Sequence, residues 1–209
     1  MKEKSQKEIE ILVERYPSLS SCKIEIIKAC ELLINTFLSG NKLLVCGNGG
    51  SASDSEHIVG ELMKGFCKKR PLPIEMKDKL EDEELYSYLQ GALPTIALTV
   101  ENALTTAFSN DQNPAFAFAQ QVYGLGVKGD ALLTISTSGN SKNCIYAAKV
   151  ARAKGVKVIA LTGANESKLS ELADITIKAP EKETYKIQEY HLPIYHAICL
   201  AIENEFFEE

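Results

Sequence analysis

The sequence contains no tryptophan and only three histidines and three methionines. Its six cysteines, Cys22, Cys30, Cys46, Cys67, Cys144 and Cys199, never fall in a CxxC pair. Several stand in apolar stretches, so reduced structural thiols are expected rather than disulfides or a zinc-thiolate knuckle. No apolar run reaches the roughly 18 to 20 residues of a membrane-spanning helix, and the start MKEKSQKEIE is polar where a secretory signal is apolar. A cytoplasmic protein with no membrane partner is expected. Excess positive charge is also missing: 23 Lys and Arg against 28 Asp and Glu give a net charge of -5. Such a balance offers phosphate backbones no general attraction, and direct nucleic-acid binding is not expected. A composition of 45% hydrophobic and 24% charged residues excludes disordered and collagen-like classes.

What is present is an alternation. Ile9, Leu12 and Val13, then Ile24, Ile27, Leu32, Leu33 and Phe37, lie at helical spacing on either side of Pro17, which predicts two helices within residues 1–40. Gly40 ends the second, and short apolar runs then recur as LLVCGN, PTIALTV (94–100), DALLTIS (130–136), VKVIALTG (156–163) and ADITIKA (173–179), with helical patterns between them. Strand and helix in alternation predict one α/β domain, a three-layer, doubly wound, five-stranded parallel sheet. A last helix is expected over about 186–204. Residues 68–93 break the rhythm and read as an insertion carrying one short helix around 81–90.

Two loops carry chemistry. The first strand runs into Gly47-Asn48-Gly49-Gly50-Ser51 and then a helical pattern, a layout that presents backbone N–H groups and a hydroxyl to an anion at a helix N-terminus. Gly47, Gly49 and Ala52 also satisfy the loose G-x-G-x-x-A dinucleotide pattern. The acidic residue a dinucleotide site needs about 20 positions on is replaced by CKKRPLP, so no nucleotide cofactor is expected. The second loop, Ser136-Thr137-Ser138-Gly139-Asn140-Ser141, puts four hydroxyls at a strand end before another helix and lacks a P-loop lysine, which suits a sugar phosphate. Phosphate binding is expected from Ser51, Ser136, Thr137, Ser138 and Ser141. His57 and Glu61, four apart, share one helix face. Gln188 and His196, eight apart, lie two turns apart on another.

CGNGGS followed by STSGNS resembles the sugar-isomerase (SIS) domain, whose core is flavodoxin-like. With His57, Glu61, Asn110-Asp111, Ile187-Gln188-Glu189 and His196, the sequence resembles the phosphoheptose isomerase family over nearly all its length. The resemblance implies an aldose-ketose isomerase acting on sedoheptulose 7-phosphate, with Glu61 as the base that moves a carbon-bound proton and His196 as its acid/base partner. It implies substrate contacts from Asn48, Gly49, Gly50, Glu61, Asn110, Asp111 and Gln188, and a zinc ion held by His57, Glu61, Gln188 and His196. It also implies a homotetramer assembled through the N-terminal helices. His191 matches no catalytic role and is read as structural. Pro193 inside the last helix, expected to kink it and so to disturb the placement of Gln188 and His196, departs from the family pattern. So do Tyr185, where an acidic residue is expected, and the 68–93 insertion. An isomerase of another sugar phosphate remains open, as does a non-enzymatic SIS protein that binds a replication initiator or senses sugar phosphates.

Overall fold

In the computed structural model, which describes residues 1–208, the five apolar runs form β1 (Leu43–Gly47), β2 (Thr95–Ala97), β3 (Ala131–Ile135), β4 (Lys157–Thr162) and β5 (Ile175–Lys178). Every pairing is parallel, in the order β2-β1-β3-β4-β5. That is the flavodoxin-like order of a doubly wound sheet. The helices are α1 (Glu3–Arg15), α2 (Lys23–Leu38), α3 (Gly50–Met63), α4 (Glu75–Leu80), α5 (Glu83–Tyr88), α6 (Asn102–Asp111), α7 (Ala117–Leu125), α8 (Lys142–Ala153), α9 (Lys168–Leu172) and α10 (Thr184–Phe206).

The two-residue period of the strands builds the layers. Leu43 and Val45 of β1 join a core with Ile26, Leu33, Ile58 and Ile198, so α2, α3 and α10 cover that face. Leu44 and Cys46 point the other way, into a core with Val122, Ala148 and Leu169 from α7, α8 and α9. In β4 the same split separates Ile159 and Leu161 from Val158 and Ala160. Both sheet faces are buried, which is why these strands read as unbroken apolar runs. All six cysteines are free, five of them buried and Cys67 exposed.

The apolar stripe of α1 is covered within the chain: Ile9 and Leu12 are buried in the core to which α10 contributes. Polar ties fix that packing, with Lys2 N and Ser5 Oγ both 2.9 Å from Glu205 Oε2. The helix α10 continues through Pro193 without ending there, and extends past both ends of the span expected from the sequence. The short helix expected around 81–90 is α5, and a second one, α4, precedes it in the same excursion. Glu81 between them has φ of 51°, and Asp82 Oδ1 caps α5 by accepting from Leu85 N at 2.8 Å. A Pro71–Gln90 bridge and the Gly91 N to Arg70 O bond of 2.7 Å close the base of this excursion. No helix among the described residues is long and apolar enough to cross a membrane.

Candidate active site

After β1 the chain crosses to β2 on one side, and later returns to lay β3 on the other, so the carboxyl ends of β1 and β3 flank the point where the winding reverses. Crevices of this kind are where doubly wound sheets bind ligands. The glycine loop leaves β1 here and the serine loop leaves β3. Two reciprocal hydrogen bonds join them: Asn48 Nδ2 donates to Asn143 Oδ1 at 3.0 Å and Asn143 Nδ2 to Asn48 Oδ1 at 2.7 Å. Ser136 Oγ and Ser141 Oγ lie 3.0 Å apart, and Ser138 Oγ accepts from Asn140 N at 3.1 Å. Ser51 and Ser136 are buried, Thr137 and Ser141 half-buried, and Ser138, Asn48, Gly49 and Gly50 exposed.

Two glycines of the first loop are approached closely, Gly47 by backbone and Gly50 by a side chain. At Gly47 a Cβ would stand 2.5 Å from the carbonyl oxygen of Ser51, so a side chain there would collide with the first turn of α3. At Gly50 a Cβ would stand 2.5 Å from Gln188 Nε2. Gln188 therefore rests directly on the glycine loop, at the N-terminal end of α10.

Two turns along α10, roughly 12 Å by helical rise, His196 meets α3. His57 Nε2 is 3.1 Å from Glu61 Oε1 and 3.5 Å from His196 Nε2, so a carboxylate and two imidazoles converge from two helices. Glu61 Oε2 is buried and has no hydrogen-bond partner. Burial, then the facing His57, hold His196 below the usual histidine pKa, with Glu61 opposing the shift. The other ring nitrogen of His57, Nδ1, is 3.0 Å from the Tyr195 hydroxyl. Beside it, Asp54 is raised by burial, against the opposing effects of its hydrogen bond with Tyr195 and of the nearby His57.

His191 behaves as a core residue: it is fully buried with Nε2 3.3 Å from the Thr162 carbonyl, and burial lowers its pKa to about 4. Asn110 and Asp111, exposed at the end of α6, bond to each other at 2.8 Å rather than to either loop. Tyr185 is exposed.

Three residues that the sequence reading passed over hold this arrangement. Arg70 is buried, donating from Nη1 to the Leu62 carbonyl at 2.8 Å and from Nη2 to that of Glu61 at 3.0 Å, thereby capping the last turn of α3. Its Nη2 also lies 2.8 Å from Glu203 Oε1 on α10. Glu203 in turn accepts from Phe66 N and Cys67 N at 2.8 and 2.9 Å. Asn143 joins the loops. A buried arginine is rarely legible in a sequence, because KKRPLP reads as a solvated basic patch.

The SIS-domain family model matches residues 19–83 and 85–163. A phosphoheptose isomerase of Aliarcobacter butzleri is 42% identical over 178 residues, 85% of this chain and 84% of that protein. Among solved structures, phosphoheptose isomerase GmhA from Neisseria gonorrhoeae superposes with a TM-score of 0.72 at 32% identity, covering 96% of this chain and 91% of the other. A phosphoheptose isomerase from Francisella tularensis gives a TM-score of 0.74 at 30% identity, over 93% and 94%. With its sheet order, its two loops and its extent matched in this way, the chain belongs to the SIS-domain family and, within it, to the phosphoheptose isomerases.

Proposed function

We propose that the protein interconverts sedoheptulose 7-phosphate and D-glycero-D-manno-heptose 7-phosphate, supplying heptose for surface glycans. The observation that carries this reading is the approach of Glu61 and His196 to the two sides of His57 Nε2, at 3.1 and 3.5 Å. Converting a ketose to an aldose removes a proton from C1 while O2 gains one, giving an enediol; O1 then loses a proton as C2 receives one. Each transfer needs an acid or base at a fixed atom. Glu61 takes the C1 proton and returns it to C2, and His196 exchanges protons with the two oxygens. The phosphate is held by Ser51, Ser136, Thr137, Ser138 and Ser141 and by the amides at Asn48, Gly49 and Gly50. Gln188, Asn110 and Asp111 contact the sugar. Ser51 and His57 are six residues apart on α3, about 9 Å along its axis, a separation that suits a long ketose phosphate bound with its carbonyl end at His57.

The test is turnover of C5, C6 and C7 ketose phosphates, followed by NMR of the product. Conversion of the C7 substrate is expected, and no turnover of any of them would overturn the reading. Removing the Thr137 and Ser138 hydroxyls by alanine substitution should raise KM roughly 10-fold or more with a smaller change in kcat, as loss of hydrogen bonds to a charged group implies. An unchanged KM would remove these hydroxyls from the phosphate site.

Zinc belongs to the same reading. Two imidazole nitrogens, a carboxylate and an amide oxygen form a chemically suitable donor set, and the buried Glu61 Oε2, which has no hydrogen bond and only the distant Lys64 Nζ at 3.8 Å, is an atom that an ion would satisfy. His57, Glu61 and His196 now bond to one another, and among the described residues no group of three or more His, Cys, Asp or Glu is laid out around an ion; zinc would replace those mutual contacts, with Gln188 reaching from the loop side. When bound it would polarise the substrate carbonyl and its neighbouring hydroxyl. Chelation should lower activity and zinc restore it; full activity in chelator removes zinc from the mechanism.

A cytoplasmic homotetramer completes the proposal. Exposed Ile24 and Leu38 on α2 are available to an interface between copies. Light scattering should return about four times 22.9 kDa, and a monomer mass would refute it.

A further inference from the structure

We propose that Asn143 is a positioning residue for phosphate binding: its amide pairs with that of Asn48 to set the gap between the two loops, and the Asn48 side chain serves the phosphate only through this pair. The inference rests on the reading above of those loops as the phosphate site; the geometry of the pair does not. Asn48 lies in the glycine loop, two residues before α3, and Asn143 in the first turn of α8, 95 positions away in sequence. The β1–β3 register runs out at Gly47 and Ile135. Beyond that point the amide pair carries the contact on from the sheet to the loops.

The direction of the pair is set from α8. The Cys144 backbone N–H, one of the amides that the first turn of a helix leaves without a helical acceptor, can only donate, and it donates to Asn143 Oδ1 at 3.0 Å. That oxygen also accepts from Asn48 Nδ2 at 3.0 Å, which leaves Asn143 Nδ2 to donate to Asn48 Oδ1 at 2.7 Å. Asn48 Nδ2 also donates to Cys144 Sγ, at 3.8 Å. Both donors of the Asn48 amide are thus engaged on α8, and neither is left for a phosphate oxygen. The pair brings together the N-termini of α3 and α8, each of which carries partial positive charge. With no anion between them these ends repel. A neutral, directed pair holds them, and so fixes the reach from Ser51 and the glycine-loop amides to Ser141, two residues before Asn143, and to Ser136, whose Oγ is 3.0 Å from that of Ser141. A phosphate then meets donors already in place, and less of its binding energy is lost to ordering the loops.

Inorganic phosphate is the probe, titrated into the whole protein and followed by calorimetry. Asn143→Ala and Asn48→Ala keep every loop backbone amide. Each should weaken phosphate binding about 10-fold, and the double variant should also lose about 10-fold rather than the roughly 100-fold of independent contacts. KM for a ketose phosphate should rise by the same factor with kcat within about threefold, whereas a general loss of folded enzyme would lower kcat and leave KM unchanged. Asn143→Ser keeps a hydroxyl that can accept from the Cys144 amide but is too short to reach Asn48, so it should match the alanine variant and serves if that one does not fold. Unchanged phosphate affinity in the single variants, losses that add in the double variant, or no phosphate binding by wild type overturns the proposal. If wild type binds phosphate but turns over no ketose phosphate while the single and double losses coincide, the isomerase reading falls and the positioning role of Asn143 stands.

Discussion

Glu61→Gln should lower turnover on the order of 10²-fold or more while substrate still binds. The amide matches the carboxylate in size and can still meet His57, which lies 3.1 Å away, but it cannot take a proton from carbon. The loss should therefore fall on kcat rather than KM. His196→Asn should have a similar effect, since it removes the group proposed to exchange protons with the oxygens. If the two act as one unit, the double variant should lose far less than the product of the single losses. Kinetics on sedoheptulose 7-phosphate, with calorimetry for binding, decide the matter. Activity unchanged in both single variants would remove the mechanism.

Glu203→Ala should cost about 3–5 kcal/mol of stability, because it leaves the buried Arg70 guanidinium without a counter-charge. Arg70 and Glu203 are both almost fully buried and approach to 2.8 Å, and the carboxylate also accepts from the amides of Phe66 and Cys67. Burial alone would raise the Glu203 carboxyl, but those amides and Arg70 outweigh it and hold it below the usual glutamate value. A depressed carboxylate stabilises fully above its unfolded pKa and ceases to do so as pH falls through the folded one. The deficit of the variant should therefore be largest at neutral pH and shrink on acidification. Urea unfolding of wild type and variant at neutral and acid pH measures both effects; a cost under about 1 kcal/mol, the size of an exposed pair, would refute the clamp. Replacing Arg70 and Glu203 together by apolar residues should not restore full stability, since the carbonyls of Glu61 and Leu62 and the amides of residues 66 and 67 would lose their partners. Because this clamp ties the end of α3 to α10, the variant should also loosen the approach of His196 to Glu61.

The path from sequence to site was legible wherever the signal is local. Apolar runs ending in glycine or serine marked parallel strands and their loops, since a strand buried on both faces has no polar alternation and its carboxyl end must turn. Four-residue spacing put His57 and Glu61 on one helix face, and the structure leaves them 3.1 Å apart. In the insertion α5 answers the short helix expected around 81–90, whereas α4 before it, set off by the left-handed residue Glu81, has too few apolar positions to show a helical period. Pro193 does not end the last helix: α10 runs through it, with Ile187, Ile194 and Tyr195 buried on either side.

Sequence by itself determined the strand order's raw material, the glycine-rich and serine-rich loops and the residue types of the candidate site, because hydrophobic period and turn chemistry act over a few neighbouring residues. Tertiary structure alone decided how α10 lies against α3: that Gln188 rests on Gly50, that Tyr195 reaches His57, and that Arg70 meets Glu203. These pairs are 133 to 138 positions apart. Their meeting depends on the rotation and axial slide of one helix on another. Packing of whole helix faces against the sheet fixes that geometry, and no local pattern encodes it.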